Sequence, residues 1–181
     1  MSQVADRYRT LSEAFEQRVR AVSPDQWAAP SPCEGWTARD VVRHVVDVHG
    51  MMLGFIGRTL SPAPGVDQDP AAALHAARAR VQAVLDDPAI ATTEYDGLLG
   101  RTTIEATIDR FLCLDLVIHG WDLARATGQD ERLDPAEVER IFNDARALGD
   151  NLRRAFGPPV EVDDGASEQD RLLAYLGRDP R

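Results

Sequence analysis

Phe111-Leu112-Cys113-Leu114-Asp115-Leu116-Val117-Ile118-His119-Gly120-Trp121-Asp122 is an apolar run broken by three polar side chains, Asp115, His119 and Asp122. From Ile108 to Trp121 the apolar positions go nearly all round a helix, which predicts the buried centre of an all-α fold. A carboxylate in such a run costs several kcal/mol unless a partner or an ion takes up its charge. Ile108, Phe111, Asp115, His119 and Asp122 follow at steps of three, four, four and three and so predict one stripe. Asp115 and His119 form an i, i+4 pair, the spacing by which a helix offers two ligands to one ion.

Working outward, Gly35-Trp36-Thr37-Ala38-Arg39-Asp40-Val41-Val42-Arg43-His44 opens a second helix, with Thr37 as N-cap and Asp40 three residues on. His44 shares a face with Val41, Val45 and Val48, which predicts an inward imidazole. Three ligands from two facing helices would leave positions open for water or substrate, as catalytic metal sites do. The same residues also fit a buried carboxylate–imidazole hydrogen bond, and their spacing leaves both readings open. His49 lies five residues past His44, too far round the helix to share an ion, and His75 sits in a surface-like context. Asp122 is expected to orient an imidazole from outside the ligand set, with a place as fourth ligand as the alternative.

The remaining helices are legible from caps and periodicity. Val4, Tyr8, Leu11, Phe15, Val19 and Val22 predict a first helix over 2–22, and the second is expected to reach Arg58. Asp69-Pro70 opens a third that ends near Leu85. Between Ala91 and Arg101 a loop or minimal hairpin is expected, with Asp96-Gly97 as its turn. Thr102-x-x-Glu105 reads as the capping box of a fourth helix ending at Thr127-Gly128. A fifth is expected from Asp134-Pro135 to Phe156, and a short last one over 167–176 with Gly177 as its C-cap. The expectation is one domain over 1–181, an up-and-down bundle of helices one to four with additional short C-terminal helices.

A net charge of −10 over 181 residues argues against nucleic acid or an anionic membrane as partner, since both demand a basic face. No apolar run approaches the roughly 20 residues of a membrane span. The N-terminus lacks the basic start and apolar core of a signal peptide, and two cysteines make no disulfide framework, so a reducing cytoplasm is expected. Cys33 is assigned a structural role and Cys113 inert packing, while Trp36 and Trp121 are expected to wall the cavity or anchor the core. All 20 basic residues are arginine, the mark of a GC-rich genome. No phosphate loop, dinucleotide fingerprint or nucleophile elbow occurs.

Pro32-Cys33-Glu34-Gly35-Trp36-Thr37-x-Arg39-Asp40-Val41-Val42-x-His44 resembles the first motif of the metal-binding domain of mycothiol-dependent maleylpyruvate isomerases, within the DinB-like four-helix-bundle superfamily. His119-Gly120-Trp121-Asp122-Leu123-Ala124-Arg125-Ala126-Thr127-Gly128 is similar to the second motif of an actinobacterial branch of uncharacterised metal-binding proteins, and the segment Asp170 to Pro180 resembles that branch's ending. The resemblance implies a divalent metal, zinc in the isomerase and nickel as the alternative, held by His44, Asp115 and His119. Where the isomerase has glutamate, this chain has the shorter Asp115, and it is expected to lack the isomerase's further C-terminal domain. The implied activity is a metal-dependent transfer or addition of a small thiol, mycothiol in such hosts, to an electrophile, or an isomerisation. Asp122 and Arg125 are then expected in supporting or substrate contacts. A monomer or homodimer fits, and the alternative is a non-catalytic metal-binding or purely structural bundle.

Overall fold

The computed structural model describes residues 2–97, 100–149 and 156–181. Four long helices form the bundle: α1 (Gln3–Arg20), α2 (Ala38–Gly54), α3 (Pro70–Leu85) and α6 (Cys113–Thr127). Between α3 and α6 lie the short α4 (Pro88–Ala91), strands β1 (Glu94–Gly97) and β2 (Gly100–Thr103), and α5 (Ile104–Thr107). After α6 come α7 (Pro135–Leu148) and α8 (Glu168–Tyr175). This is the all-α, DinB-like architecture expected. Both α1 and α2 border α3 and α6, so the order round the bundle is α1–α3–α2–α6, with α1 diagonal to α2. This corrects the expected simple up-and-down order, in which consecutive helices are neighbours: the long connection over 21–37 lets the chain cross the bundle between α1 and α2. No helix among the described residues is long and apolar enough to cross a membrane.

Helix starts follow the caps. Ser2, Asp69, Asp134 and Ser167 each accept a first-turn backbone N–H, and Thr37 and Asp40 form a reciprocal capping box. Beyond shifts of one or two residues at the first and last helices, two boundaries differ from the expectation. The second helix stops at Gly54 instead of Arg58, because Gly57 takes φ +67° and the Arg58 N–H turns back to the Leu53 carbonyl. The cap before α5 is Thr103, not Thr102: Thr103 is the last residue of β2 and its hydroxyl accepts the Ala106 N–H, while Thr102 lies one residue further inside the ladder, opposite Tyr95. The hairpin pairs Glu94 with Thr103 and Gly97 with Gly100, so Asp96-Gly97 ends β1 and the tip itself lies outside the described residues. For the fifth helix, α7 reaches Leu148 with Gly149 as C-cap, and the expected extension over 150–155 lies outside the described residues.

One local feature departs from regular periodicity. Residues Ile108–Leu112 form a π turn between α5 and α6. A π turn inserts an extra residue, so the inward positions below it are Ile104, Ile108 and Leu112 while Phe111 is only half-buried. The predicted stripe therefore loses Phe111 but keeps Asp115, His119 and Asp122, which lie in regular α-helix beyond the turn.

The apolar circumference of α6 is explained by two cores. One face packs with α1, α2 and α3. The other, through Leu114, Val117, Ile118 and Trp121, packs against Val138 and Ile141 of α7 and the leucines of α8. Arg7 of α1 ties these layers together, pairing with Asp109 at 2.8 Å and Glu137 at 2.5 Å.

His49 is fully buried in the first core. Its Nδ1 lies 2.7 Å from the Val45 carbonyl, which can only accept, so Nδ1 carries the proton and Nε2 accepts from the Tyr8 hydroxyl at 2.9 Å. Burial, against the help of that carbonyl, pushes its pKa down from 6.5 to about 4. The unfolded chain then binds a proton that the folded one refuses, so this contribution is whole above pH 6.5 and disappears as pH falls to 4. Its full size is about 3 kcal/mol. Urea unfolding across that window should show a His49→Gln variant with a visibly shallower loss of stability than wild type; parallel curves would refute the assignment.

Candidate metal centre

The site is assembled from α2, α6, the loop before α2 and the chain on either side of α8. That loop is a tight turn: the Trp36 N–H bonds the Cys33 carbonyl at 3.0 Å, and Ser31 N–H bonds the Trp36 carbonyl at 2.9 Å. It sets Cys33 and Trp36 against α6.

His44 of α2 meets Asp115 and His119 of α6. One ligand-capable atom from each lies within 4.8 Å of the others. His44 Nε2 stands 3.4 Å from Asp115 Oδ2, and the His44 and His119 rings meet edge-on with centroids 4.7 Å apart. A separation of 3.4 Å is long for a hydrogen bond between these groups. It matches the edge between two ligand atoms held about 2.0–2.1 Å from one tetrahedral ion, which is about 3.3 Å. The donor set, two imidazoles and a carboxylate, is also that of catalytic zinc sites. The residues fit a divalent metal.

The His119 side chain is 5% exposed and its ring nitrogens are distinguished by their surroundings. Nδ1 lies 2.9 Å from Asp122 Oδ2. As a carboxylate only accepts, Nδ1 carries the proton, and Nε2 keeps its lone pair for the cluster with His44 and Asp115. Asp122 is 0% exposed and bears on a second buried ion, Arg178, whose guanidinium donates to Oδ2 at 2.8 Å and to Oδ1 at 3.3 Å. Burial alone would raise the Asp122 carboxyl, but the hydrogen bonds from His119 and Arg178 and the Arg178 charge hold it below the usual range.

Cys33 completes this layer, its Sγ donating to Asp122 Oδ2 at 3.2 Å and standing 3.3 Å from an Arg178 nitrogen. Cys33, His119 and Asp122 could by distance form a second ligand group. Arg178 donates to Asp122 and towards Cys33 Sγ, so these groups form a hydrogen-bonded network in which a cation already answers the carboxylate charge. Burial and the Asp122 charge together push the Cys33 thiol up to about 12, and burial does the same to Cys113. Neither thiol is a ready nucleophile at neutral pH.

Aromatic rings wall the centre. Trp36 lies 5.0 Å from the His44 ring and stacks at 6.0 Å on His119, and Phe156 stacks on His119 at 6.0 Å. Trp121, by contrast, is an anchor of the second core, and Arg125 lies over its ring at 4.7 Å. Arg125 pairs with Glu131 and donates to the carbonyls of Pro180 and Arg181, so it ties down the C-terminal end and is not brought to the cluster. His75 bonds Glu16 at the α1–α3 contact. Sequence reading did not find Arg178 or Phe156; the one available signal was that Arg178 falls in the third motif.

The sequence pattern of the mycothiol maleylpyruvate isomerase N-terminal domain family matches residues 8–124. The chain belongs to this family. It is also 31% identical over 179 residues to uncharacterised proteins of two Mycobacterium tuberculosis strains, CDC 1551 and H37Rv, covering 96% of this chain and 97% of each of theirs. No solved structure matches it. Within this isomerase-domain family match lie His44, Asp115, His119, Asp122, Cys33 and Trp36, whereas Phe156 and Arg178 come from the chain beyond it.

Proposed function

We propose that this protein binds a divalent metal, zinc in the first instance and nickel as the alternative, through His44, Asp115 and His119. We propose further that it uses the metal to transfer or add a small thiol to an electrophilic small molecule, with mycothiol as the co-substrate. The observation that carries this reading is the convergence of the three donor groups, with His119 Nδ1 committed to Asp122 and Nε2 left for coordination. A divalent ion held there supplies Lewis acidity that lowers the pKa of a bound thiol, so that thiolate is present at neutral pH. The chain's own cysteines, both pushed up to about 12, favour a thiol that arrives from outside. Trp36 and Phe156 offer flat apolar faces beside His119 that keep water away and suit the uncharged part of an electrophile. Asp122 holds the His119 proton at Nδ1 and its orientation.

Elemental analysis of the purified protein, after loading with zinc or nickel and dialysis, tests the metal. About one equivalent is expected in wild type, with near-complete loss in His44→Ala, His119→Ala and Asp115→Ala variants that retain helical circular dichroism. A wild type that holds no metal, or variants that hold as much as wild type, would sink the proposal. Conjugation of mycothiol to a chromogenic aryl halide then separates enzyme from binding module. Metal-dependent turnover supports the transferase, and bound metal without it assigns the bundle a non-catalytic role.

A further inference from the structure

We propose that Arg178, delivered by the chain after α8, is a positioning residue that fixes the tautomer and orientation of His119 through Asp122. The inference rests on the metal reading above for its consequence, but its geometry stands alone. The guanidinium is 5% exposed and five contacts take up its donors. Nε donates to Asp122 Oδ1 and one terminal nitrogen to Asp122 Oδ2 and towards Cys33 Sγ; the other donates to the carbonyls of Leu176 and Phe156 at 2.9 and 3.2 Å. A guanidinium has five N–H groups, so none remains for a substrate anion. Its effect on the centre therefore passes through the carboxylate that it grips.

That grip is a fork on both oxygens, which fixes the plane of the carboxylate as well as its place. The Oδ2 atom so fixed is the one that receives the His119 Nδ1 proton. Without the fork the carboxylate can rotate away from Nδ1, and the imidazole proton is free to move to Nε2, where it blocks the lone pair that coordination needs. The delivery of Arg178 is itself built in. Gly177 has φ +78°, and a Cβ there would stand 3.0 Å from the Pro158 carbonyl oxygen and 3.2 Å from Phe156 O. The turn that aims Arg178 inward thus needs glycine, and it packs the tail on the segment that carries Phe156.

Long-range proton–nitrogen NMR of the metal-free protein, labelled on histidine, reads the tautomer directly. Wild type should show His119 as the Nδ1–H form; Arg178→Gln should show a mixture, and its zinc affinity by chelator competition should fall about 10–100-fold. Arg178→Lys, which keeps the charge but not the fork, should fall between the two and guards against a glutamine variant that does not fold. A single Nδ1–H tautomer and unchanged zinc affinity in a folded variant would overturn the proposal. Should wild type bind no zinc, the metal reading fails while the tautomer still decides what Arg178 does to His119.

Discussion

Replacing Asp122 by alanine should destabilise the protein by about 3–5 kcal/mol, the usual cost of removing one partner of a buried ion pair. Asp122 is 0% exposed and accepts from His119, Cys33 and the Nε and one terminal nitrogen of Arg178, so alanine leaves four donors and one full charge without their acceptor. For a chain of this length that is a fall in Tm on the order of 10 °C. The pair itself is a different matter. Two desolvated ions repay their burial only when each keeps the other, so an apolar pair of similar volume comes near to neutral. Asp122→Leu combined with Arg178→Met should accordingly recover a good part of the stability that Asp122→Ala loses, while leaving His119 without its orienting acceptor. Urea unfolding of wild type, single and double variants checks this. A double variant less stable than the single one would show that the network contributes more than the repair of a buried charge.

Trp121→Ala should cost a similar amount, about 3–5 kcal/mol, by a different route. The indole is 1% exposed and fills the contact of α6 with α7 and α8, and Arg125 lies across it on the way to the Pro180 and Arg181 carbonyls. Its loss opens a cavity in the second core and leaves the first, between α1, α2 and α3, with its own contacts. Hydrogen exchange should therefore record the largest loss of protection in α8 and little in α2 and α3. Uniform loss across all helices would mean that the two cores unfold as one unit.

The contrast between those two residues shows how far local sequence information reached. Asp122 is expected beside the site and Trp121 either at its wall or in the core, and both lie in one turn of α6. Helical spacing puts Asp122 three residues after His119, hence on its side of the helix, and the hydrogen bond follows. The same spacing puts Trp121 two residues after His119, towards the other face, where α7 and α8 cover it. That outcome was decided by what packs on the far side, which periodicity within α6 does not encode. The π turn is of the same kind. The pattern from Ile108 to Asp122 looks continuous at α-helical spacing, and only the observed backbone reveals the extra residue that takes Phe111 out of line.

Long separations in the chain mark the rest of the boundary. Helix starts were legible because caps act over three residues, and Asp115 with His119 because an i, i+4 pair shares a face by geometry alone. His44 lies beside its apolar neighbours but is only half-buried, its side chain 35% exposed, rather than fully inward, and the family resemblance names it a ligand. The sequence by itself thus determined the bundle's helices and the three residues of the candidate centre. Only the tertiary structure decided how that centre is held. Arg178 reaches Asp122 across 56 residues and Cys33 across 145. Contacts at that distance leave no period or cap to read, because they are fixed by the packing of α8 on α6 and by one glycine turn. The buried carboxylate in the apolar run was a problem visible in the sequence; its solution at Asp122 is an arginine from the far end of the chain.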